Sequence, residues 1–282
     1  MTVSKKTGML ALVICSLLWS SGGLFIKLVN WHPMVIAGVR GAIATAIIYI
    51  AVLKICGSRP TINRQTLSAG LFFGLTCTLF VLSNKMTTAA NTIMLQSTNP
   101  VFIILFSFLF QHKKTSKRDI LTAFLVLCGI TLFFLDNLSP GKLTGNMLAL
   151  LSRITMASAF MLACSATSLT DTMSGVMLGH LFCAVIGLPF LFIAPPELTA
   201  SSVGVILFLG VFQLGVPYVL LSIGASSCSP LTVSLLGMLE PILNPVWVAL
   251  FLHEIPGTRA LFGSVIVICT LCWWCVSSAK ES

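Results

Sequence analysis

The chain is a series of apolar blocks about 20 residues long, separated by short polar breaks. The blocks show neither the alternation of a half-buried strand nor the single apolar stripe of a soluble helix. On that pattern we place helical spans at 8–27, 33–55, 67–84, 87–110, 120–136, 146–167, 174–193, 202–223, 230–252 and 260–278. A helix of about 20 residues rises about 30 Å, the thickness of a bilayer's hydrocarbon. The breaks hold turn-forming residues, such as Ser58-Arg59-Pro60, Asn137-Leu138-Ser139-Pro140-Gly141 and Pro195-Pro196. Every loop is shorter than about 15 residues, so function must sit among the helices.

The pattern also repeats. A copy displaced by 141 residues, half of the 282, returns Pro100 as Pro241, His112 as His253, Arg118 as Arg259 and Gly74 as Gly215. Leu95 and Leu236 match as well, as do Leu109-Phe110 and Leu250-Phe251, but leucine matches are cheap in so apolar a chain. The reading is an all-α integral membrane protein with ten transmembrane helices in two inverted five-helix repeats. Residues 1–136 form the first repeat, 137–145 a linker and 146–282 the second. An odd number of spans per repeat turns the second copy over in the membrane, the arrangement of carriers whose halves rock about a central site. Met9-Leu10-Ala11-Leu12 recurs as Met147-Leu148-Ala149-Leu150, so the first span is read as a helix of the fold and not as a removable leader.

Composition sharpens this. The chain is 57% hydrophobic and 8% charged, with a mean hydropathy of +1.03, which a soluble domain could not cover. The formal charge of +9 suggests nucleic acid, but its placement argues against that partner. With the N-terminus inside, ten of the sixteen Lys and Arg residues fall on the cytoplasmic side, while Lys27, Lys85, Lys142 and Arg259 fall outside. Arg40 and Arg153 complete the set inside spans. This positive-inside bias puts both termini in the cytoplasm of a multi-pass protein of the cell (inner or plasma) membrane. The ten cysteines lie mostly in apolar spans. A metal or redox reading of Cys272-Trp273-Trp274-Cys275 needs a second ligand pair or a redox fold, and neither is visible. Cys269, Cys272 and Cys275 therefore read as packing residues on one helix face, and no metal or cofactor is expected.

Ionisable groups in hydrocarbon cost about 2.5–3.5 kcal/mol each, so Arg40, Arg153, His180 and Glu240 need a reason. Glu240 lies about ten residues, roughly 15 Å, from either end of its span, and Arg153 about 10 Å in from the outer face. Glu240 is either a proton carrier or partner for a cationic substrate, or half of a permanent bridge to Arg153 or Arg40. Arg40 reads as a structural cation that caps helix ends or snorkels outward, ahead of a substrate ligand. His180, at the matching place in the second half, reads as a hydrogen-bonded packing residue ahead of a proton relay.

Prolines add a second signal. Within a helix, Pro100 would free the carbonyl of Gln96, Pro217 that of Gln213, and Pro241 that of Gly237. Polar side chains gather at these breaks: Asn91, Gln96 and Asn99 on span four, Gln213 and Tyr218 on span eight, Glu240 and Asn244 on span nine. Kinks joined to amides near an internal two-fold axis point to a cavity. On span one, Ser16 and Ser20 to Gly23 suit a close helix approach. Trp19 is a midplane indole, available to pack or to cover a ligand.

Several stretches resemble the EamA-type, ten-helix carriers of the drug/metabolite transporter superfamily. Leu239-Glu240-Pro241 followed by Leu252-His253-Glu254 is similar to the family's Leu-Glu-Pro and Leu-Gly-Glu in and after helix nine. Gly215-Val216-Pro217-Tyr218 resembles its eighth helix, and Pro33 with Arg40 its second. The resemblance implies two inverted bundles about a cavity lined by helices one, three, four, six, eight and nine, with alternating access for small metabolites such as amino acids, often outward. By position it puts Trp19, Asn91, Gln96, Arg153, Gln213, Tyr218, Glu240 and Asn244 on cavity helices as substrate-binding candidates. Arg40, Pro100, His180, Pro217 and Pro241 are structural or gating candidates. Two departures stand out: Gln111-His112-Lys113-Lys114 replaces the first half's Gly-Glu pair, and His253 replaces the second half's glycine.

The leading function is therefore secondary transport of a small polar metabolite. Two intramembrane arginines against one glutamate suit a substrate carboxylate; if Glu240 takes an amine, the substrate is an amino acid or related zwitterion. Span one lacks an acidic residue, which demotes the proton–cation exchange of the small multidrug carriers in the same superfamily. The alternative is a flippase-like protein handling lipid or a lipid-linked intermediate. An enzyme is not expected: Asp119, Asp136 and Asp171 lie at or beyond span ends, and there is no G-x-S-x-G motif. The partners are the bilayer and a small-molecule substrate, and spans five and ten are left to face lipid or a second copy in a homodimer.

Overall fold

The computed structural model describes residues 3–87, 92, 95–112, 115–135, 143–243 and 258–280, with all side chains there except those of 23, 24, 27, 133, 134, 260, 275 and 278–280. Asn91, Asn244 and most of the linker fall outside. Among the described residues every element is helical. The helices are α1 (Lys5–Trp19), α2 (Gly22–Leu28), α3 (Pro33–Ala51), α4 (Arg64–Met86), α5 (Asn99–Gln111), α6 (Lys117–Phe134), α7 (Leu143–Cys164), α8 (Leu169–Gly187), the single turn α9 (Phe190–Ile193), α10 (Ala200–Phe208), α11 (Val216–Ala225), α12 (Pro230–Gly237) and α13 (Thr258–Lys280). Among the described residues, five stretches are long and apolar enough to cross a membrane: Pro33–Cys56, Arg64–Met86, Leu143–Cys164, Leu169–Ile193 and Ala200–Ala225. Asn99–Gln111, Pro230–Leu243 and Leu261–Trp274 are shorter apolar helices. The chain is a multi-pass helical membrane protein.

Helix starts are written locally. Ser4, Asn63, Ser116, Ser168, Thr199 and Ser229 each accept a backbone N–H two or three residues on, satisfying donors that a helix leaves open. The cap at Ser168 draws Asp171 into the first turn of α8, so span seven starts at Leu169 and not at 174. Helix α7 likewise begins at Leu143, inside the expected linker. Helix α5 ends at His112, whose φ of 52° is the left-handed cap conformation that glycine adopts without strain.

The spans differ from unbroken rods. Span one breaks between Trp19 and Gly22. Pro100 does not kink a continuous helix: the chain turns at Ser97-Thr98, and α5 starts anew with Asn99-Pro100 in its first turn. Pro241 also follows a break, a turn at Met238 after α12. Pro217 stands in the first turn of α11, and the strain ahead of it is taken up by a π segment, Leu209–Gly215, that continues α10.

Helix α4 lies against α7 and α8, α3 against α8 and the π segment, α1 against α11 and α12, α5 against α7 and α12, and α6 against α13. Displacing each partner by half the chain maps these contacts onto one another. The third–sixth contact becomes eighth–first, third–seventh becomes eighth–second and fourth–sixth becomes ninth–first. The second–seventh, fourth–ninth and fifth–tenth contacts map onto themselves. At two crossings backbones touch. A Cβ on Gly38 would come within 2.5 Å of the Gly187 backbone, and one on Gly179 within 2.5 Å of Phe73 Cβ. Without a hydrophobic drive between helices in lipid, such close approach supplies the dispersion contact that holds them together.

Loop contacts sort the ends of the spans. Trp31 Nε1 donates to Glu197 O at 3.0 Å, Lys85 Nζ to Val29 O at 2.8 Å, and Thr87 Oγ1 to Asn146 Oδ1 at 2.8 Å. At the opposite span ends, Thr61 Oγ1 donates to Asp171 Oδ1 at 2.6 Å and Trp274 Nε1 to Asp119 Oδ1 at 2.8 Å. Cys269 and Cys272 are exposed on α13 while Trp274 takes its packed face, so these thiols look outward and do not build the core.

Candidate functional site

The breaks that interrupt the spans meet around one polar cavity. It offers about 50 Å³ to the centres of water-sized solutes. Of the residues expected to bind substrate, Trp19, Gln96, Arg153, Gln213, Tyr218 and Glu240 line it. Arg40 and Pro241 line it as well. Pro100 and Pro217 are buried on lining helices without facing it, and Asn91 and Asn244 lie outside the described residues.

Tyr218 is the wall's centre. It is 4% exposed, and its ring stands 5.2 Å from Trp19, 5.9 Å edge-on from Phe73 and 4.4 Å edge-on from His180. Its hydroxyl meets Cys77 Sγ at 3.4 Å. Cys77 and Tyr218 are 141 residues apart, so positions equivalent in the two halves touch here. His180 is fully buried behind the ring, and neither of its nitrogens has a hydrogen-bond partner. Its closest contact is the edge-on ring of Tyr218, with the Cys77 thiol beside it.

The charges are arranged differently from a locked bridge. Arg153 comes from α7, where its Nη2 donates to Ser152 Oγ at 2.8 Å and its Nε has no partner. Glu240 sits in the helical turn after Met238, and no Arg153–Glu240 pair within 4.0 Å forms. Arg40 neither caps a helix nor snorkels: it is 1% exposed, with Nε and Nη1 unpartnered. The cavity thus holds two guanidiniums and a carboxylate that share a space without neutralising one another directly.

Neutral polar groups complete the lining. Asn99 Nδ2 donates to Ser234 Oγ at 2.8 Å, leaving Asn99 Oδ1 unpartnered, and Gln213 Oε1 is unpartnered too. Gln213 is placed by the π segment, a feature frequent at functional sites because it turns side chains away from helical register. Asn99-Pro100 and Glu240-Pro241 are half-chain equivalents, so the first half contributes an amide where the second contributes a carboxylate. Sequence reasoning missed Thr76, Cys77, Met156 and Phe160 in the wall. Thr76 could have been found: its hydroxyl, 2.8 Å from that of Thr155, is one of the few polar groups midway along span three.

Broken helices around a charged cavity are the architecture from which many membrane carriers are built. The EamA-like transporter family matches residues 6–135 and again 143–274, so the chain belongs to that family and carries its unit twice. A solved structure titled "Crystal structure of protein" has the same fold, with a TM-score of 0.77, 17% identity, and 95% of this chain and 96% of that chain covered. No curated protein matches the sequence.

Proposed function

We propose that the protein is a secondary transporter that moves a small amino acid or related zwitterion by alternating access, outward across the cell membrane. The observation that carries this is the separation of Arg153 and Glu240: both face one cavity, and neither is paired with the other. Arg153 offers N–H donors for a carboxylate, Glu240 a carboxylate for an ammonium, and Trp19 with Tyr218 an aromatic floor. The small cavity suits a compact polar solute better than a lipid tail. The matching contacts of the two halves support an inverted pair of five-helix units that rock about this site, and the charge bias supports cytoplasmic termini.

Melting of the purified protein in detergent against amino acids, amines, nucleosides and organic acids tests the reading. A ligand at 100 times its dissociation constant adds about 2.7 kcal/mol to the stability of the bound state, which moves a melting point measurably. We expect a saturable shift with amino acids that vanishes in Arg153→Ala. No shift with any amino acid would overturn the proposal and favour lipids.

A further inference from the structure

The zwitterion reading assigns Arg153 and Glu240 and leaves Arg40 without a task. Arg40 is among the largest fully buried side chains of the protein, yet it lines the same cavity with Nε and Nη1 unpartnered. A guanidinium cannot shed its charge in a protein, so a buried one without an anion is among the costliest groups a fold can hold. Helix α3 is not held by it, since the Gly38–Gly187 crossing and apolar contacts bind that helix to its neighbours.

The charge count of the cavity points the same way. Arg40, Arg153 and Glu240 all line it, two guanidiniums against one carboxyl group, which leaves one positive charge in excess. The parts of spans four and nine outside the described residues cannot cancel it, because 88–91, 93–94 and 244–250 contain no charged residue. A neutral zwitterion would leave the excess in place. A substrate with two carboxylates and one ammonium, net charge −1, removes it.

We propose that Arg40 is a second carboxylate position, and that the substrate is an amino dicarboxylic acid of the size of glutamate or aspartate. This rests on the reading in which Arg153 and Glu240 hold the α-carboxylate and the amine. The second carboxylate then receives the free N–H groups of Arg40, in the planar fork that guanidinium presents to carboxylates. A chloride ion beside a neutral amino acid would supply the same kind of charge, and the experiment separates the two.

Purified native protein is melted in chloride-free buffer with glutamate, aspartate, glutamine and asparagine, and again with chloride added. We expect each acid to bind about tenfold to hundredfold more tightly than its amide, the range for a hydrogen bond to a charged group. In Arg40→Gln the acids fall to the level of the amides while amide binding is retained; Arg40→Lys keeps part of the preference. Equal binding of acid and amide by the native protein overturns the proposal, as does a preference that survives in Arg40→Gln. Amide binding that equals the acids' once chloride is added overturns it in favour of chloride. Amides that bind through Arg153 with no gain for the acids sink the second position alone, whereas failure of every amino acid sinks the zwitterion reading with it. Should Arg40→Gln not fold, the native acid–amide comparison and Arg40→Lys decide.

Discussion

Arg153 keeps a charge in hydrocarbon with one hydrogen bond from Nη2 and none from Nε, and such a group weakens the empty protein. Replacement by a similar apolar volume should therefore relieve the empty state. We predict that Arg153→Met leaves unliganded stability unchanged or raises it by up to about 2 kcal/mol, while ligand-induced stabilisation disappears. A melting point several degrees lower without ligand would make the guanidinium a structural cation instead. His112 gives a second prediction. Its φ of 52° is a conformation that costs a side chain of this kind about 1 kcal/mol. His112→Gly should raise unfolding free energy by about 1 kcal/mol, read by denaturation in detergent; a loss of stability would mean that the imidazole makes a contact worth more than the backbone strain.

At the scale of elements, close helix crossings carry the fold. Gly179→Leu would drive a side chain into Phe73 Cβ and the Gly70 carbonyl, so we predict at least about 1–3 kcal/mol of destabilisation and a loss of folded protein in membranes. Gly204 faces open space, and Gly204→Ala should be neutral or stabilising by up to about 1 kcal/mol. Equal effects of the two would argue against the crossing. The existence of the helices was legible because apolar runs and turn-forming breaks are local features. The inner form of three spans was not. Pro100 and Pro217 were read as kinks, but each begins a helix after a turn or a π segment, since neighbouring helices decide how a freed carbonyl is satisfied.

At the scale of the molecule, the half-chain repeat legible in the sequence returns in the helix contacts, each of which is either self-related or one of a pair. Proline, histidine and arginine carried that signal, being too rare to match by chance. The cavity was legible only in part. Amides and charges such as Gln96, Gln213 and Glu240 are conspicuous in apolar spans, but Cys77, Met156 and Phe160 look like core residues until the helices are assembled. The direction of the Arg40 side chain was not legible, because depth along a helix does not say which way a long side chain points.

The central claim is that this cavity binds and carries an amino acid. The most direct test is counterflow in proteoliposomes preloaded with unlabelled amino acid, following entry of the labelled compound. The native protein should accumulate label transiently above the empty-liposome level, and Glu240→Gln, with its amine partner removed, should slow this at least tenfold while still folding. Label entering no faster than in protein-free vesicles, or native rates in Glu240→Gln, would contradict the account.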